Sequence, residues 1–272
     1  MSRSVRYRVV AVTGGAAGIG RAIAEQLAAV GAKVAIGDRD GIGARRAAAE
    51  IAGDVAGFDL DVTDTAAFTA FLDAVQAKWG RVDVLVNNAG VMWVGPFDAE
   101  PEEAARRQLD VNLHGVIRGV KAAAPLMRAR GNGHIVTIAS AASKVAPPGE
   151  ATYAATKHGV LGYLRAVRAE LAGSGVELSV IMPGVVDTEL ARGTAAGAAK
   201  LLQPADVARV VVSVIERPRF EVTVPRFIGP LTAIVELLPQ AARDFLLARM
   251  VPNQVASVDK RSRDDYENGQ FR

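Results

Sequence analysis

The chain has 272 residues, half of them hydrophobic and 22% charged, with 32 basic side chains, 29 acidic ones and no cysteine. At this length roughly three quarters of the unfolded surface can be buried, so one α/β domain can build its core without covalent staples. The missing cysteines exclude disulfides, thiolate nucleophiles and Cys-ligated zinc, and fit a reducing cytoplasm.

The net charge is +3 and the sequence pI is about 9.3. Charges of both signs are interspersed, and only 5% of residues are aromatic. Nucleic-acid binding would want a basic stripe with stacking rings, so it is not expected. His114, His134 and His158 lie far apart without ligand spacing, so no metal site is expected. The N-terminal stretch before Gly14 reads as a first strand rather than a signal peptide. The uncharged stretch Val84 to Phe97 is broken by Asn87, Asn88, Gly90, Gly95 and Pro96, so no transmembrane helix follows from it.

In chain order, apolar runs of strand length alternate with Ala-rich helical stretches. Arg8–Val12 precedes a helix over Gly18–Val30, and Lys33–Ile36 precedes one over Ile42–Ala52. Val55–Asp59 leads to Thr65–Trp79, Val82–Asn87 to Glu102–Ala129, and His134–Ala139 to Ala151–Gly173. Glu177–Ile181 and Val222–Val224 supply two further strands. Continuous apolar strands with helical connections indicate a parallel sheet covered on both faces. With right-handed crossovers this predicts a Rossmann-like, doubly wound α/β fold.

Thr13-Gly14-Gly15-Ala16-Ala17-Gly18-Ile19-Gly20 joins the first strand to the first helix. Glycines there allow a tight turn and close backbone approach to a pyrophosphate, whose charge would face the helix N–H groups. Alone, such a cluster is also a plain turn. Its context is more telling, because Asp38 ends the second strand 18 residues beyond Gly20. A carboxylate there accepts from both ribose hydroxyls of an adenosine and repels a 2′-phosphate. Arg39 is adjacent and is the residue that would receive such a phosphate. NAD is therefore favoured over NADP.

Four further features follow: Asn87-Asn88-Ala89-Gly90 at the end of the fourth strand, Asn112, Ser140, and Tyr153-Ala-Ala-Thr-Lys157. With the glycine loop, they resemble the short-chain dehydrogenase/reductase family over about residues 7 to 225. Ser140 and Tyr153 also have the family's separation of thirteen residues. Pro183-Gly184-Val185-Val186-Asp187-Thr188 matches its nicotinamide-side turn. The departures are Ala139, where many members have serine, and Ser143, where many have glycine.

The resemblance implies an NAD(H)-dependent oxidoreductase that interconverts a secondary alcohol and a ketone. It assigns Tyr153 as acid/base, Ser140 as a partner of the reacting oxygen, and Asn112 as holder of a water linking Lys157 to solvent. Lys157 shares a helix face with Tyr153, so its ammonium should favour the phenolate and also bind the nicotinamide ribose. The cofactor-binding set is Gly14, Ala17, Gly18, Ile19, Gly20, Asp38, Arg39, Asp61, Val62, Asn88, Ala89, Gly90, Tyr153, Lys157, Pro183, Gly184, Val186 and Thr188. Asp61 stands where members contact the adenine; a helix cap before Thr63-Asp64 is its alternative reading. Ile138 backs the nicotinamide or packs in the core.

The substrate side is apolar. Its candidates are Val91 to Val94, Val145 to Pro148, Val185 and the stretch Glu189–Leu202, with Gly193–Lys200 as a small-residue lid or a plain loop. Lys144 and Arg192 are the cations placed to hold an acidic group. A small hydrophobic alcohol or ketone is the expected substrate, and a homodimer or homotetramer the expected assembly.

Residues 1–225 are expected as the dinucleotide-binding and catalytic domain, 226–258 as a helical extension, and 259–272 as a solvated polar tail or arm. Ile228–Met250 has helical apolar spacing divided by Pro239. It reads as core or subunit packing, as peripheral membrane contact, or as a cover over the pocket. Two rival functions remain: a dinucleotide-binding regulator without turnover, and a membrane-surface reductase acting on lipids with NADPH.

Overall fold

Five-residue and longer runs of β-branched and small apolar side chains, such as Val9–Thr13, suit the two-sided burial of a central parallel strand. The computed structural model, which describes residues 4–197 and 200–271, contains a sheet of seven strands. They are β1 (Val9–Thr13), β2 (Lys33–Asp38), β3 (Asp54–Asp59), β4 (Val84–Asn87), β5 (Gly133–Ile138), β6 (Val176–Pro183) and β7 (Glu221–Val224). All pair in parallel, in the order β3-β2-β1-β4-β5-β6-β7. The fold is Rossmann-like and doubly wound, as the alternating pattern predicts.

Helices α1 (Gly18–Ala29), α2 (Gly41–Glu50), α3 (Thr65–Trp79), α4 (Glu102–Gln108), α5 (Gly115–Ala129), α6 (Ala151–Glu170) and α7 (Pro204–Glu216) cover the sheet. Their apolar stripes make two cores, one per face. Phe68, Leu72, Val120 and Leu164 lie in one, and Ile23, Leu27, Val211 and Val214 in the other. Local chemistry sets several ends. Asp64 caps α3 by accepting from Ala66 and Ala67 N–H, and Gly80 closes it with φ of 82°.

Residues 102–129, expected as one helix, form α4 and α5 joined by a π-helical turn over Leu109–His114. Such turns recur at functional sites, and this one carries Asn112.

The sheet order reverses between β1 and β4. Crevices at such a switch point, outside the carboxyl ends of the strands, are where doubly wound sheets bind ligands. The glycine loop after β1 and the Asn87–Gly90 turn after β4 flank it.

Beyond β7 the chain forms α8 (Ile228–Glu236), α9 (Gln240–Met250), α10 (Gln254–Ser257) and α11 (Lys260–Phe271). Pro239 separates α8 from α9, as its fixed geometry dictates. The expectation of a solvated tail after residue 258 is corrected, because α11 docks on the protein. Its Arg263 guanidinium is fully buried, and Phe271 packs against the first core. The reason is tertiary: Arg263 finds backbone carbonyls that no sequence pattern announces. No helix among the described residues is long and apolar enough to cross a membrane.

Candidate active site

A cavity of about 730 Å³ opens at the carboxyl ends of β1, β4, β5 and β6, within the range of ordinary small-molecule sites. Gly14 and Gly18 turn the chain at its floor with φ of 64° and 54°. A Cβ on Gly14 would stand 2.8 Å from Ala89 Cα, so the turn can approach β4 only as glycine. Ala17 precedes α1 without a side-chain cap, so the first N–H groups of the helix stay available to an anion. Ile19 lines the cavity. Gly20 does not; it lies beneath the turn against Gly14 O and Asn88 Nδ2.

The turn is braced rather than loose. Thr13 Oγ1 accepts from Asn88 N at 3.0 Å and Ala89 N at 3.1 Å. Asn88 Nδ2 donates to Thr13 O and Gly14 O, both at 2.9 Å. Asp38, at the end of β2, accepts from Ala16 N at 3.0 Å and Asp40 N at 3.1 Å while facing the same cavity. Arg39 beside it is exposed and reaches Gln270 of α11 at 3.3 Å. Asp61 and Val62 complete this end. Asp61 accepts from Thr63 N and Oγ1 at 2.9 and 2.7 Å. The α3 cap is Asp64, so the capping alternative for Asp61 does not hold.

At the opposite end, Ser140, Tyr153 and Lys157 face one another across the cavity wall. Ser140 follows β5; Tyr153 and Lys157 lie one turn apart on α6. Lys157 Nζ is 5.4 Å from the centre of the Tyr153 ring and 3.5 Å from Ile138 O. Burial lowers the Lys157 pKa to about 8. Burial also pushes the Tyr153 phenol well above its ordinary value, helped by the Glu150 and Tyr266 charges and opposed by the neighbouring Ser140 hydroxyl. Desolvation is the largest cause of that rise; the sequence-based expectation joins the Lys157 ammonium to the charge of an oxidised nicotinamide.

Asn112 is buried and does not line the cavity. Its amide clasps the Val91 backbone, accepting from N and donating to O at 2.8 Å each, and donates to Thr156 Oγ1 at 3.2 Å. Thr156 in turn donates to Tyr153 O at 2.7 Å. A side chain at Gly90 would press between Asn112 and Lys157. Pro183, Gly184, Val186 and Thr188, after β6, close the cavity roof. Among the described residues, no cluster of His, Asp or Glu could hold a metal.

The sequence and the fold recur in known proteins. A sequence model of the short chain dehydrogenases matches residues 8–198. The chain belongs to the short-chain dehydrogenase family. It is an oxidoreductase of that family, whose members bind nicotinamide dinucleotides. A D-threitol dehydrogenase of Mycolicibacterium smegmatis is 41% identical over 67% of this chain and 72% of that protein. A 3-oxoacyl-(acyl-carrier-protein) reductase of Escherichia coli is 36% identical over 68% of this chain and 76% of its own. The crystal structure of a short chain dehydrogenase/reductase from Burkholderia phymatum in complex with NAD superposes with a TM-score of 0.79 at 28% identity. It covers 91% of this chain and 97% of that one.

The substrate side of this family member differs in part from the sequence expectation. Val91, Met92, Val145, Pro147, Val185 and Leu190 line the cavity, but Trp93, Val94, Ala146 and Pro148 do not. Lys144 is not free for an acidic substrate, since it pairs with Glu221 at 2.7 Å; Arg192 pairs with Glu189 at 2.7 Å. Of the stretch Gly193–Lys200, Thr194 and Ala196 reach the cavity, and residues 198 and 199 lie outside the described residues. Helices α8 and α9 roof the cavity through Ile228, Leu231, Val235, Leu247 and Met250, which selects the pocket-cover reading of that segment.

Among the lining residues that went unread in the sequence are Glu150, Tyr266 and Gln270. Glu150 had a signal, one helical turn before Tyr153. Tyr266 and Gln270 had none, because only the docking of α11 brings them in. Tyr266 accepts from Met92 N at 3.2 Å, and burial pushes its phenol up to about 12.

Proposed function

We propose that this protein is an NAD(H)-dependent dehydrogenase that interconverts a hydrophobic secondary alcohol and its ketone, with Tyr153 as acid/base. The observation that carries this reading is one continuous cavity with the glycine turn and Asp38 at one end and Ser140, Tyr153 and Lys157 at the other. The residues fit a dinucleotide, because the tight Gly14 turn against Ala89 opens onto the uncapped N-terminus of α1, whose N–H groups would face the pyrophosphate. When bound, the nicotinamide supplies a hydride acceptor or donor at C4.

The chain's own groups handle the proton. In oxidation, Tyr153 takes the hydroxyl proton as the carbinol carbon loses hydride; in reduction it returns that proton to the oxygen. Ser140 holds the same oxygen beside the phenol. Because burial keeps Tyr153 protonated, a positive charge must lower its pKa. The Lys157 ammonium and an oxidised nicotinamide are the two cations this site can present. Asn112 acts through Val91 and Thr156, fixing the β4 turn to the backbone of Tyr153.

Asp38 supports NAD over NADP. Like charges about 4 Å apart cost roughly 4 kcal/mol at an effective dielectric near 20. A cytoplasmic location and a homodimer or homotetramer complete the reading. The test is NADH or NADPH formation against a panel of secondary alcohols, with wild type and Tyr153→Phe. Turnover by wild type with NAD, nearly absent in the variant, is the expected result. Turnover unaffected by the substitution refutes the role of Tyr153.

A further inference from the structure

Glu150 is the residue immediately before α6, and its carboxylate does not cap that helix. Its backbone is fixed, with N donating to Pro147 O at 3.1 Å and O accepting from Ala154 N at 2.8 Å. The residue is only 7% exposed, and what remains open faces the cavity. Its carboxylate makes no hydrogen bond among the described residues.

Arg263 does not satisfy it. That guanidinium donates to Glu267, Leu190 O, Arg192 O and Met92 O, and its charge reaches Glu150 only through space. A buried polar group normally finds a partner, so a spare carboxylate in a ligand cavity points to a donor that arrives with the ligand. Its position is specific: Glu150 is one helical turn from Tyr153, close enough for its charge to act on the phenol.

We propose that Glu150 reads the substrate, accepting a hydrogen bond from a second hydroxyl beside the reacting carbon. The substrate class is then a vicinal diol, or the matching α-hydroxy ketone, on an otherwise apolar skeleton. The inference rests on the alcohol dehydrogenase reading above. A carboxylate substrate is disfavoured by the negative charge of Glu150. An ammonium is disfavoured by the buried Arg263 charge, which already acts on Glu150 through space. A hydroxyl both donates and accepts, so it can pair with either protonation state of the carboxyl. Burial lifts that carboxyl to about 7, so both states occur near neutrality. Leu190, Leu231 and Val251, which line the same cavity, suit the remaining skeleton.

Sites that hydrogen-bond a substrate hydroxyl reject the analogue lacking it by up to about 10⁴–10⁵-fold. The test uses the full chain with NAD and three matched substrates. These are an aryl vicinal diol, the secondary alcohol without the second hydroxyl, and the analogue with an amine in its place. Wild type should prefer the diol over the mono-alcohol in kcat/KM by at least about 10²-fold. Glu150→Leu should bring that ratio close to unity. Glu150→Gln, nearly isosteric and still an acceptor, should lower it about tenfold. A wild-type ratio near unity, or a ratio that neither variant moves, overturns the role of Glu150. A preference for the amine overturns the hydroxyl class. Bound dinucleotide with no turnover of any alcohol refutes the dehydrogenase reading itself, and the inference with it.

Discussion

The sheet with its cofactor end and the roof formed after β7 are built by different means. In the first, several site residues sit where a strand stops, and Tyr153 and Lys157 sit on α6 beside them. Asp38 ends β2, Asn88 follows β4, and Ser140 follows β5. In the second, a few long-range bonds place whole helices. Arg263 ties α11 to Met92, Leu190 and Arg192, Tyr266 adds a bond from Met92 N, and Gln254 ties α10 to Ala195 through both N and O. On the proposed reading the proton chemistry, with Glu150 beside it, sits on the sheet side, the rigid part, and the helices after β7 supply the apolar roof over the substrate.

The largest expected effect tests the rigid part. Tyr153→Phe removes one hydroxyl and should keep fold and NAD binding while lowering kcat by at least about 10²–10⁴-fold. Next comes Asp38→Ser, which should lose NAD affinity and gain NADP affinity. The change in the ratio of kcat/KM for the two cofactors should be on the order of 10²-fold, with Arg39 then pairing the phosphate. Wild type preferring NADP would transfer the deciding role to Arg39.

Lys157→Met should weaken NAD binding and move the pH–rate profile for oxidation to higher pH. The variant lacks the cation that favours the phenolate, a cation present in wild type below about pH 8. An unmoved profile would leave Lys157 a merely structural residue.

Arg263→Leu sharpens the contrast between the regions. It leaves three carbonyls without their donor, at about 1–3 kcal/mol for each one that stays buried. Hydrogen exchange should show α11 losing protection while β1, β4 and β5 keep theirs, and KM for the alcohol should rise about tenfold. Loss of protection throughout the sheet would mean that roof and sheet unfold as one unit.

The smallest effect is on stability. The Glu150 carboxyl is raised from 4.5 to about 7, burial being the larger cause and Arg263 opposing it. The folded state therefore holds that proton more tightly than the unfolded one. The stability it contributes is complete below about pH 4.5 and is lost as pH rises through about 7. Glu150→Gln should raise Tm by several degrees at about pH 8, and much less at about pH 5. Equal shifts at both would show that the carboxylate is not held in a dry site.

These differences also explain what was legible beforehand. The alternation of strands and helices, the glycine turn, Asp38 and the Tyr153–Lys157 face follow from local periodicity and spacing. The π-helical turn at Asn112 was not readable, since residues 102–129 carry an unbroken helical pattern. The depth at which Tyr153 is buried was not readable either, since spacing along a helix does not weigh desolvation. Residues 259–271 look solvated because eight charges fall in their neighbourhood. One of these, Arg263, is buried only because distant carbonyls await it.

The most direct measurement follows the hydride itself. A panel of secondary alcohols and vicinal diols carrying deuterium on the carbinol carbon is incubated with the protein and NAD, and the nicotinamide product is examined by mass spectrometry. The account predicts deuterium on the reduced nicotinamide with wild type and almost none with Tyr153→Phe. Tight NAD binding with no label transferred from any alcohol would contradict it.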